Sequence, residues 1–366
     1  MLKRLTMLVF MLLFPYVAHA QGAHFVSAKG EALYLDGKPY IFLGVNRYNL
    51  LTMGGPPYVG CGRPWSEADL DLFFSEIHGM GANVIRFWAF QSFTVNAQGG
   101  NFNRMDYIVN TLASKYHIKV IPVLENEWKD CTKSGKKYDN WYQSGYSSPY
   151  GDYALSYKDY VKLIVSRYKD SPNILMWQLM NEAEDKNTDG SCANGDGLYR
   201  FTSSMSVYIH KIDHNHMVSL GTIGTGQCGT AGMYTFQKLH SIPSLNIIEA
   251  HDYGHDVYKL PGYPVISRNS STIASDLLVS HVLKKPLFIG EAGIKSDCAE
   301  EGCFDEALRS QYFNAKIRAL LANGGVGYII WSYRDNNPKS FDHYNFNHTD
   351  PLYSTLKNLA QKYEHL

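Results

Sequence analysis

The sequence lacks the patterns that mark several large protein classes. Its six cysteines form no C-x-x-C pair and none stands beside a histidine at metal-ligand spacing, so a zinc site is not expected. Lysine plus arginine and aspartate plus glutamate number 34 each, without a run of either sign, which excludes the basic face of a nucleic-acid-binding protein. A glycine-rich phosphate turn, a low-complexity linker and a short repeat are also missing. We therefore expect no metal, no cofactor and no nucleic-acid partner.

Long apolar runs are also scarce, and the first twenty residues contain the main one. Lys3 and Arg4 precede an apolar run over residues 5–17, which a small-x-small cleavage site (AHA) follows, as in a secretory signal peptide. The run is shorter than the ~20 apolar residues that span a bilayer. We expect a signal peptide over residues 1–20 and one domain over residues 21–366. The mature chain should be secreted, extracellular or periplasmic, monomeric and free of the membrane.

Eight short apolar or β-branched runs recur along the mature chain at spacings of 30 to 55 residues. They cover residues 41–45, 84–87, 119–124, 174–179, 217–221, 247–250, 287–290 and 327–331. Continuous apolar runs of this length are typical of parallel strands that are buried on both faces.

Segments with helical spacing lie between these runs. A capping box at Ser66 to Asp69 opens a helix that continues through Ile77, and residues 153–168 and 306–322 also carry helical apolar spacing. Strand–helix alternation repeated eight times predicts an α/β fold, namely a closed (β/α)8 TIM barrel rather than an open doubly wound sheet.

The segment ahead of the first run predicts a small accessory element. It reads FVSAKGEALYLDGKPYIFLG, with Asp36-Gly37 placed as a hairpin turn. We expect a short N-terminal β-hairpin that covers the bottom of the barrel.

Polar and aromatic residues follow the predicted strands, at the barrel end where such folds carry their reactive groups. They are Asn46, Arg86, Trp88, Asn126, Glu127, Trp128, Asn181, Glu182, His251, Tyr253, Glu291 and Trp331. Glu182 and Glu291 each follow a buried strand directly, so both should project into the barrel mouth. A glutamate at such a place can also cap a helix or pair with lysine. Two together instead suit glycoside hydrolysis, in which two carboxyls at ~5–5.5 Å give retention of configuration.

Resemblance to a known family agrees with this interpretation. The segments LMWQLMNEAE and PLFIGEAG resemble the acid/base and nucleophile strands of clan A glycoside hydrolases, family 5, and the likeness covers nearly the whole mature chain. It implies that Glu182 is the acid/base, that Glu291 is the nucleophile and that Asn181 binds the sugar 2-hydroxyl.

The supporting residues of that family also have counterparts. NVIRFWAF implies that Arg86 orients the nucleophile and keeps it ionised, since a nearby guanidinium lowers a carboxylate pKa. EAHDYGHD contains the His-x-Tyr motif, which implies that His251 lies near the acid/base and that Tyr253 bonds the nucleophile. Trp331 would form the floor beneath the reacting sugar, its alternative being a core position. For His255 and Asp256 we expect a loop role.

Within family 5 the chain is most similar to the endo-β-1,4-mannanases of fungi and plants. GVNRYNLL, IRFWAF, VLENEW and MDYIVNTLASKYHIKVI carry this likeness, which implies that Trp88, Asn126 and Trp128 bind substrate.

The chain also departs from the mannanase pattern at three places. Ala183-Glu184 stands where mannanases have Pro-Arg, Glu127 where Asn is usual, and Ala292 where Phe is usual. The arginine-to-glutamate change replaces hydrogen-bond donors by acceptors in a subsite on the leaving-group side.

We therefore expect a retaining endo-β-1,4-glycanase that acts on β-mannan or a related polysaccharide or oligosaccharide. The alternatives are an endo-β-1,4-glucanase or an exo-acting β-glycosidase of the same family. A non-catalytic carbohydrate-binding barrel is a further alternative, which the presence of both glutamates with their supporting residues disfavours. A hydrolase with metal-activated water would need a His/Asp cluster that the strand ends lack.

The six cysteines all fall in loops after predicted strands. In an exported protein they suggest disulfides, for which fifteen pairings exist. Because the fourth and fifth strands are neighbours in a barrel, Cys192–Cys228 is expected. Cys298–Cys303 would close a local loop, and this leaves Cys61–Cys131. Such bridges would stiffen the loops around the cleft.

Overall fold

The computed structural model describes residues 24–52, 61–62, 64–96, 99–254, 273–299, 302–333 and 343–363. The predicted signal peptide, His255 and Asp256 lie outside the described residues. Within those ranges, none of the helices combines the length and the apolar character needed to cross a membrane.

Eight parallel strands form the centre of the molecule. They are β1 (Phe42–Asn46), β2 (Val84–Trp88), β3 (Lys119–Val123), β4 (Met176–Gln178), β5 (Met217–Ser219), β6 (Ile248–Tyr253), β7 (Leu287–Gly293) and β8 (Gly325–Ile330). Each overlaps one predicted apolar run. Hydrogen-bonded neighbours follow the order β5-β4-β3-β2-β1-β8-β7-β6, so the last strand pairs with the first. The predicted TIM barrel is confirmed.

The barrel is nearly closed between β5 and β6, which exchange single contacts rather than a continuous ladder. The Asn246 backbone N–H donates to the Val218 carbonyl (3.1 Å), and the His251 N–H donates to the Ile223 carbonyl (2.9 Å). These bonds hold the sixth strand in register, so its C-terminal end reaches the same face as the other strand ends.

Helices surround the strands. The described residues contain α1 (Glu67–Gly79), α2 (residues 103–115), α3 (Tyr157–Tyr168), α4 (Asp196–Ile212), α5 (Met233–His240), α6 (Ile273–Leu283), α7 (Glu306–Ala322) and α8 (Pro351–Tyr363). The predicted capping box at Ser66 is present, and α7 has the predicted bounds. The predicted start of α3 was four residues too early, because the Ser156 hydroxyl caps the helix by accepting from the Asp159 N–H.

The N-terminal segment forms a three-stranded antiparallel sheet, one strand more than the predicted hairpin. Its strands are Val26–Lys29, Ala32–Leu35 and Lys38–Tyr40. Asp36 and Gly37 have φ values of 55° and 77°, which allow the predicted tight turn between the second and third strands. The strand that was not predicted is therefore Val26–Lys29, which pairs with Ala32–Leu35. Val26 and Leu33 pack with Phe42 and other apolar residues from the N-terminal ends of the barrel strands. The sheet therefore covers the bottom of the barrel.

Three disulfides tie loops on the opposite face. The structure pairs Cys61 with Cys131, Cys192 with Cys228 and Cys298 with Cys303, the pairs expected from the sequence. Cys192–Cys228 joins the loops after β4 and β5, whereas Cys298–Cys303 closes a loop after β7.

Candidate active site

Arg86 organises the mouth of the barrel. It is fully buried in β2, and its guanidinium donates to four side chains from other strands or strand ends. These are Asn46 Oδ1 (2.8 Å), Glu291 Oε1 (2.7 Å), Asn181 Oδ1 (2.7 Å) and Gln178 Oε1 (2.9 Å). A rigid guanidinium that donates to several fixed acceptors holds both the charge and its partners in one geometry.

Glu291 lies in β7 with its carboxylate held on both oxygens. Arg86 donates to Oε1, and the Tyr253 hydroxyl donates to Oε2 at 2.8 Å. The side chain is almost fully buried, so burial raises the pKa of Glu291, whereas the charges of His251 and Arg86 and the hydrogen bond of Tyr253 act to lower it. Arg86 thus acts in the expected direction, but burial has the larger effect on this carboxyl.

Glu182 follows β4 in an uncommon backbone conformation. Its φ of 53° lies in the left-handed region, which a non-glycine residue rarely adopts and which is often found at functional sites. Oε1 accepts a hydrogen bond from His251 Nδ1 (2.9 Å) and Oε2 accepts one from Trp128 Nε1 (2.7 Å). Although burial acts to raise it, the pKa of Glu182 is lowered by these donors and by the positive charge of His251.

His251 lies between carboxylates. Its Nδ1 is 2.9 Å from Glu182 Oε1 and 3.6 Å from Glu291 Oε2, and its Nε2 is 3.3 Å from Glu249 Oε1. Burial alone would lower the pKa of this imidazole, but the surrounding negative charges raise the pKa of His251 to about 10. His251 and Glu182 therefore share an exchangeable proton that resides on the imidazole.

The structure brings the two predicted glutamates together. One atom each of Glu182, His251 and Glu291 lies within 4.8 Å of the others, the one such group among the described residues. All three side chains are already hydrogen-bonded, and Arg86 places a positive charge 2.7 Å from Glu291. A metal cation would meet that charge at close range, so the donor set suits proton transfer better than metal binding.

The three tryptophans near the site differ in their exposure to solvent. Trp331 is partly exposed and stacks on Tyr48, with ring centroids 5.6 Å apart and planes at 15°. Trp88 is only 7% exposed and packs against Phe90, Tyr48 and Trp331. Its buried rings support the Trp331 platform and leave little surface for a sugar. Trp128 remains partly exposed beside Glu182.

Asn126 and Asn181 form a buried amide pair. Asn181 Nδ2 donates to Asn126 Oδ1 (3.1 Å), and Asn126 Nδ2 donates to the Asp130 carbonyl (3.0 Å). Asn126 is 1% exposed, so it positions Asn181 rather than presenting itself to a substrate. Asn181 retains a second N–H, because an amide carries two donors.

Two of the departures from the mannanase pattern, Glu127 and Glu184, lie after β3 and β4, whereas Ala292 lies in β7. Glu184 pairs with Lys186 at 2.8 Å and is only 8% exposed, so its acceptor oxygens are already largely engaged. Glu127 is fully buried, accepts a hydrogen bond from the Tyr142 hydroxyl, and has a pKa that burial raises to about 8. The ammonium of Lys136 lies 4.2 Å from the ring centroid of Trp128. The side of the cleft beside Trp128 therefore carries paired acidic and basic side chains where the mannanase pattern has an arginine and an asparagine.

Two buried polar residues of the site were not predicted. Gln178 in β4 and Glu249 in β6 point into the barrel and contact Arg86 or His251. The signal was a polar side chain inside an otherwise apolar run, in "MWQL" and "IIEA". A buried glutamate requires partners, and asking for them would have directed attention to Glu249.

The sequence is similar to a protein-family model and to two fungal proteins of known name. A family model described as Cellulase (glycosyl hydrolase family 5) matches residues 45–337. Mannan endo-1,4-beta-mannosidase F of Aspergillus clavatus is 29% identical over 301 residues, which are 75% of this chain and 65% of that protein. Mannan endo-1,4-beta-mannosidase A of Aspergillus aculeatus is 26% identical and aligns over 84% of this chain and 81% of its own length.

Solved structures agree with the fold. The endo-1,4-beta-mannanase of Rhizomucor miehei matches with a TM-score of 0.70 at 21% identity, covering 92% of this chain and 99% of that chain. At 21% identity, this structural similarity supports the barrel fold alone. The chain spans less than two thirds of the Aspergillus clavatus protein's length, at 65%.

Proposed function

The chain belongs to glycosyl hydrolase family 5, as its strand-end motifs predicted, and we propose that it is a secreted, retaining endo-β-1,4-glycanase that hydrolyses β-mannan. The observation that carries this proposal is the approach of Glu182 and Glu291 to within 4.8 Å at the mouth of the barrel. A separation of ~5–5.5 Å between carboxyls is that of retaining enzymes, since inverting enzymes need room for a water between them.

In the first step, a carboxylate oxygen of Glu291 attacks the anomeric carbon while Glu182 gives its proton to the leaving glycosidic oxygen. A covalent glycosyl-enzyme results. Arg86 and Tyr253 hold the Glu291 carboxylate so that one geometry serves the attack. His251 Nδ1 lies 2.9 Å from Glu182 Oε1, so the proton on this nitrogen is within reach of that carboxyl when substrate displaces water from the cleft.

In the second step, the Glu182 carboxylate takes a proton from water, and the resulting hydroxide oxygen attacks the anomeric carbon and releases Glu291. Trp331 would lie beneath the reacting sugar ring, its indole packed against sugar C–H groups. The remaining N–H of Asn181 would bind the 2-hydroxyl of that sugar.

The names of the relatives support the proposed substrate class. Proteins named mannan endo-1,4-beta-mannosidase align with most of this chain, which favours β-mannan. The family model is described as Cellulase, which keeps an endo-β-1,4-glucanase as the second candidate. The engaged Glu184–Lys186 pair, where mannanases have an arginine, makes the leaving-group side the place where the two substrates would be discriminated.

The test combines two variants with a product analysis. Glu182→Gln and Glu291→Gln should each lower hydrolysis roughly a thousandfold or more, because each removes a group that acts in the reaction itself. Glu67→Gln on the exposed start of α1 is the matched control and should retain wild-type activity. Unchanged activity in either site variant would overturn the assignment.

Product sizes and stereochemistry define the reaction. On β-mannan, glucomannan and carboxymethylcellulose, we expect oligosaccharides of mixed length from the first two substrates. Proton NMR of the first product should show the β anomer. Monosaccharide alone would indicate an exo-acting enzyme, and cleavage of carboxymethylcellulose alone would indicate a glucanase.

A further inference from the structure

Glu249 is a third buried carboxylate at the site, behind the two proposed catalytic glutamates. Its side chain is fully buried in β6. Oε2 accepts hydrogen bonds from the Ser219 hydroxyl (2.7 Å) and from the Gln178 amide, while Oε1 lies 3.3 Å from His251 Nε2 and 3.8 Å from Arg86 Nε. Burying a carboxylate is costly unless hydrogen-bond donors or positive charges surround it, and the four groups that contact this carboxylate are all donors.

The neighbouring strand leaves room for this carboxylate. Gly290, which precedes Glu291 in β7, has no side chain, and a Cβ at that position would lie 1.9 Å from Glu249 Oε1. The Gly290 carbonyl accepts a hydrogen bond from Asn46, so the backbone cannot simply move away. Glu249 and Gly290 therefore form a matched pair of residues on adjacent strands.

We propose that Glu249 is a positioning residue that keeps His251 an imidazolium ion directed at Glu182, and thereby sets the upper pH limit of the proposed hydrolysis. Glu249 acts through His251 and not on the substrate. This inference rests on the proposed glycosidase function, but one of the two tests below does not require activity.

The geometry at both ring nitrogens supports this role. His251 Nδ1 faces Glu182 at 2.9 Å and Nε2 faces Glu249 at 3.3 Å, and only an imidazolium donates from both nitrogens. The charged groups around the ring are the carboxylates of Glu182, Glu249 and Glu291, with Arg86 as the one neighbouring cation among the described contacts. The carboxylates outnumber the cation, and they favour the proton on His251, in accord with the raised pKa of this group.

The direction of the effect on Glu182 follows from charge alone. The pair formed by Glu182 and His251 loses protons as pH rises, and a fixed negative charge at Glu249 raises the pKa of both. An acid catalyst must hold a proton, so Glu249 extends the active range toward higher pH. Without that charge, the basic limb of the pH profile should move to lower pH.

The first test compares kcat/KM against pH for the mature wild-type chain, Glu249→Gln and Ser219→Ala on a soluble β-mannan. Glu249→Gln removes the charge and should lower the apparent pKa of the basic limb by roughly one unit. Ser219→Ala removes a neutral donor from the same carboxylate and should move the limb far less. If the basic limb of Glu249→Gln has the same apparent pKa as that of Ser219→Ala, Glu249 is merely structural and the proposal is overturned, whatever the effect on kcat.

The second test needs neither a stable Glu249 variant nor turnover. Nitrogen-15 NMR of the wild-type histidines, with the His251 signal assigned by its loss in His251→Gln, should show both ring nitrogens of His251 protonated at pH 8. A neutral imidazole at that pH would overturn the proposal even if Glu249→Gln failed to fold. Absence of activity on every β-mannan and β-glucan would instead refute the proposed function and leave the NMR result to stand by itself.

Discussion

At the scale of single residues, the proposed nucleophile is held by two donors of different kinds. Arg86 supplies a buried charge to one oxygen of Glu291, and Tyr253 supplies a hydroxyl to the other, from a side chain that is 44% exposed. The two contacts have separable effects, because only the tyrosine can be replaced without uncovering a buried charge.

Tyr253→Phe should therefore shift the acid limb of the pH profile. The hydroxyl bonds to the ionised form of Glu291 and lowers its pKa, so its removal raises that pKa further. A group that must be ionised to attack then requires a higher pH, and the acid limb of kcat/KM moves upward by about half to one unit. Titrating kcat/KM from pH 3 to 7 measures this. An acid limb that moves downward, or a change in the basic limb alone, would contradict it.

Site residues at the ends of strands could be predicted from the sequence. Residues whose role depends on contacts with distant parts of the chain could not. Glu182, Glu291, Arg86 and His251 follow or lie in local patterns, so they were found. Glu249 was overlooked since its meaning depends on neighbours from three other strands. In the same way, the sequence showed Glu184 as a departure from the mannanases, but only the fold shows that Lys186 engages it.

At the scale of elements, α7 is bonded to the end of β6 through a buried ion pair. Lys316 of α7 is 2.7 Å from Asp252 Oδ1 and donates to the Gly254 carbonyl, and the Tyr328 hydroxyl donates to Asp252 Oδ2. Side chains alternate along a strand, so Asp252 points outward while His251 and Tyr253 face the site. The helix thus holds the strand segment that presents both residues to the glutamates.

Lys316→Met should be strongly destabilising because it leaves Asp252 buried beside an apolar group. Removal of one partner from a buried pair costs about 3–5 kcal/mol, whereas replacing both partners costs much less. We expect Lys316→Met with Asp252→Asn to recover a large part of the loss, as measured by urea unfolding of the two single variants and the double variant. Equal stability of wild type and Lys316→Met, or strictly additive losses, would show that the pair does not hold the elements together.

At the scale of the whole molecule, the candidate active site and the N-terminal sheet lie at opposite ends of the barrel. Local apolar runs predicted the eight strands, and barrel topology then placed every strand end on one face, which is why the candidate site was predictable as a group. The number of strands in the N-terminal sheet was not predicted, because the segment ahead of Asp36 folds back at Gly30-Glu31, a turn without an Asn-Gly or Asp-Gly pair. Its apolar contacts lie with the barrel bottom, far along the strands from Glu182 and Glu291.

This separation predicts that Leu33→Ala lowers stability without changing the chemistry. Leu33 is 1% exposed in the cluster that joins the N-terminal sheet to the barrel bottom, and truncation of a buried leucine costs about 2–5 kcal/mol. Thermal unfolding should therefore occur at a clearly lower temperature, while kcat, KM and both limbs of the pH profile stay at wild-type values well below that temperature. The exposed Leu72 of α1 offers the control, since Leu72→Ala should change neither property appreciably. If Leu33→Ala altered the pH profile, the sheet would be coupled to the site through the barrel strands. Strands anchored at the bottom would then also set the positions of the charges at the top.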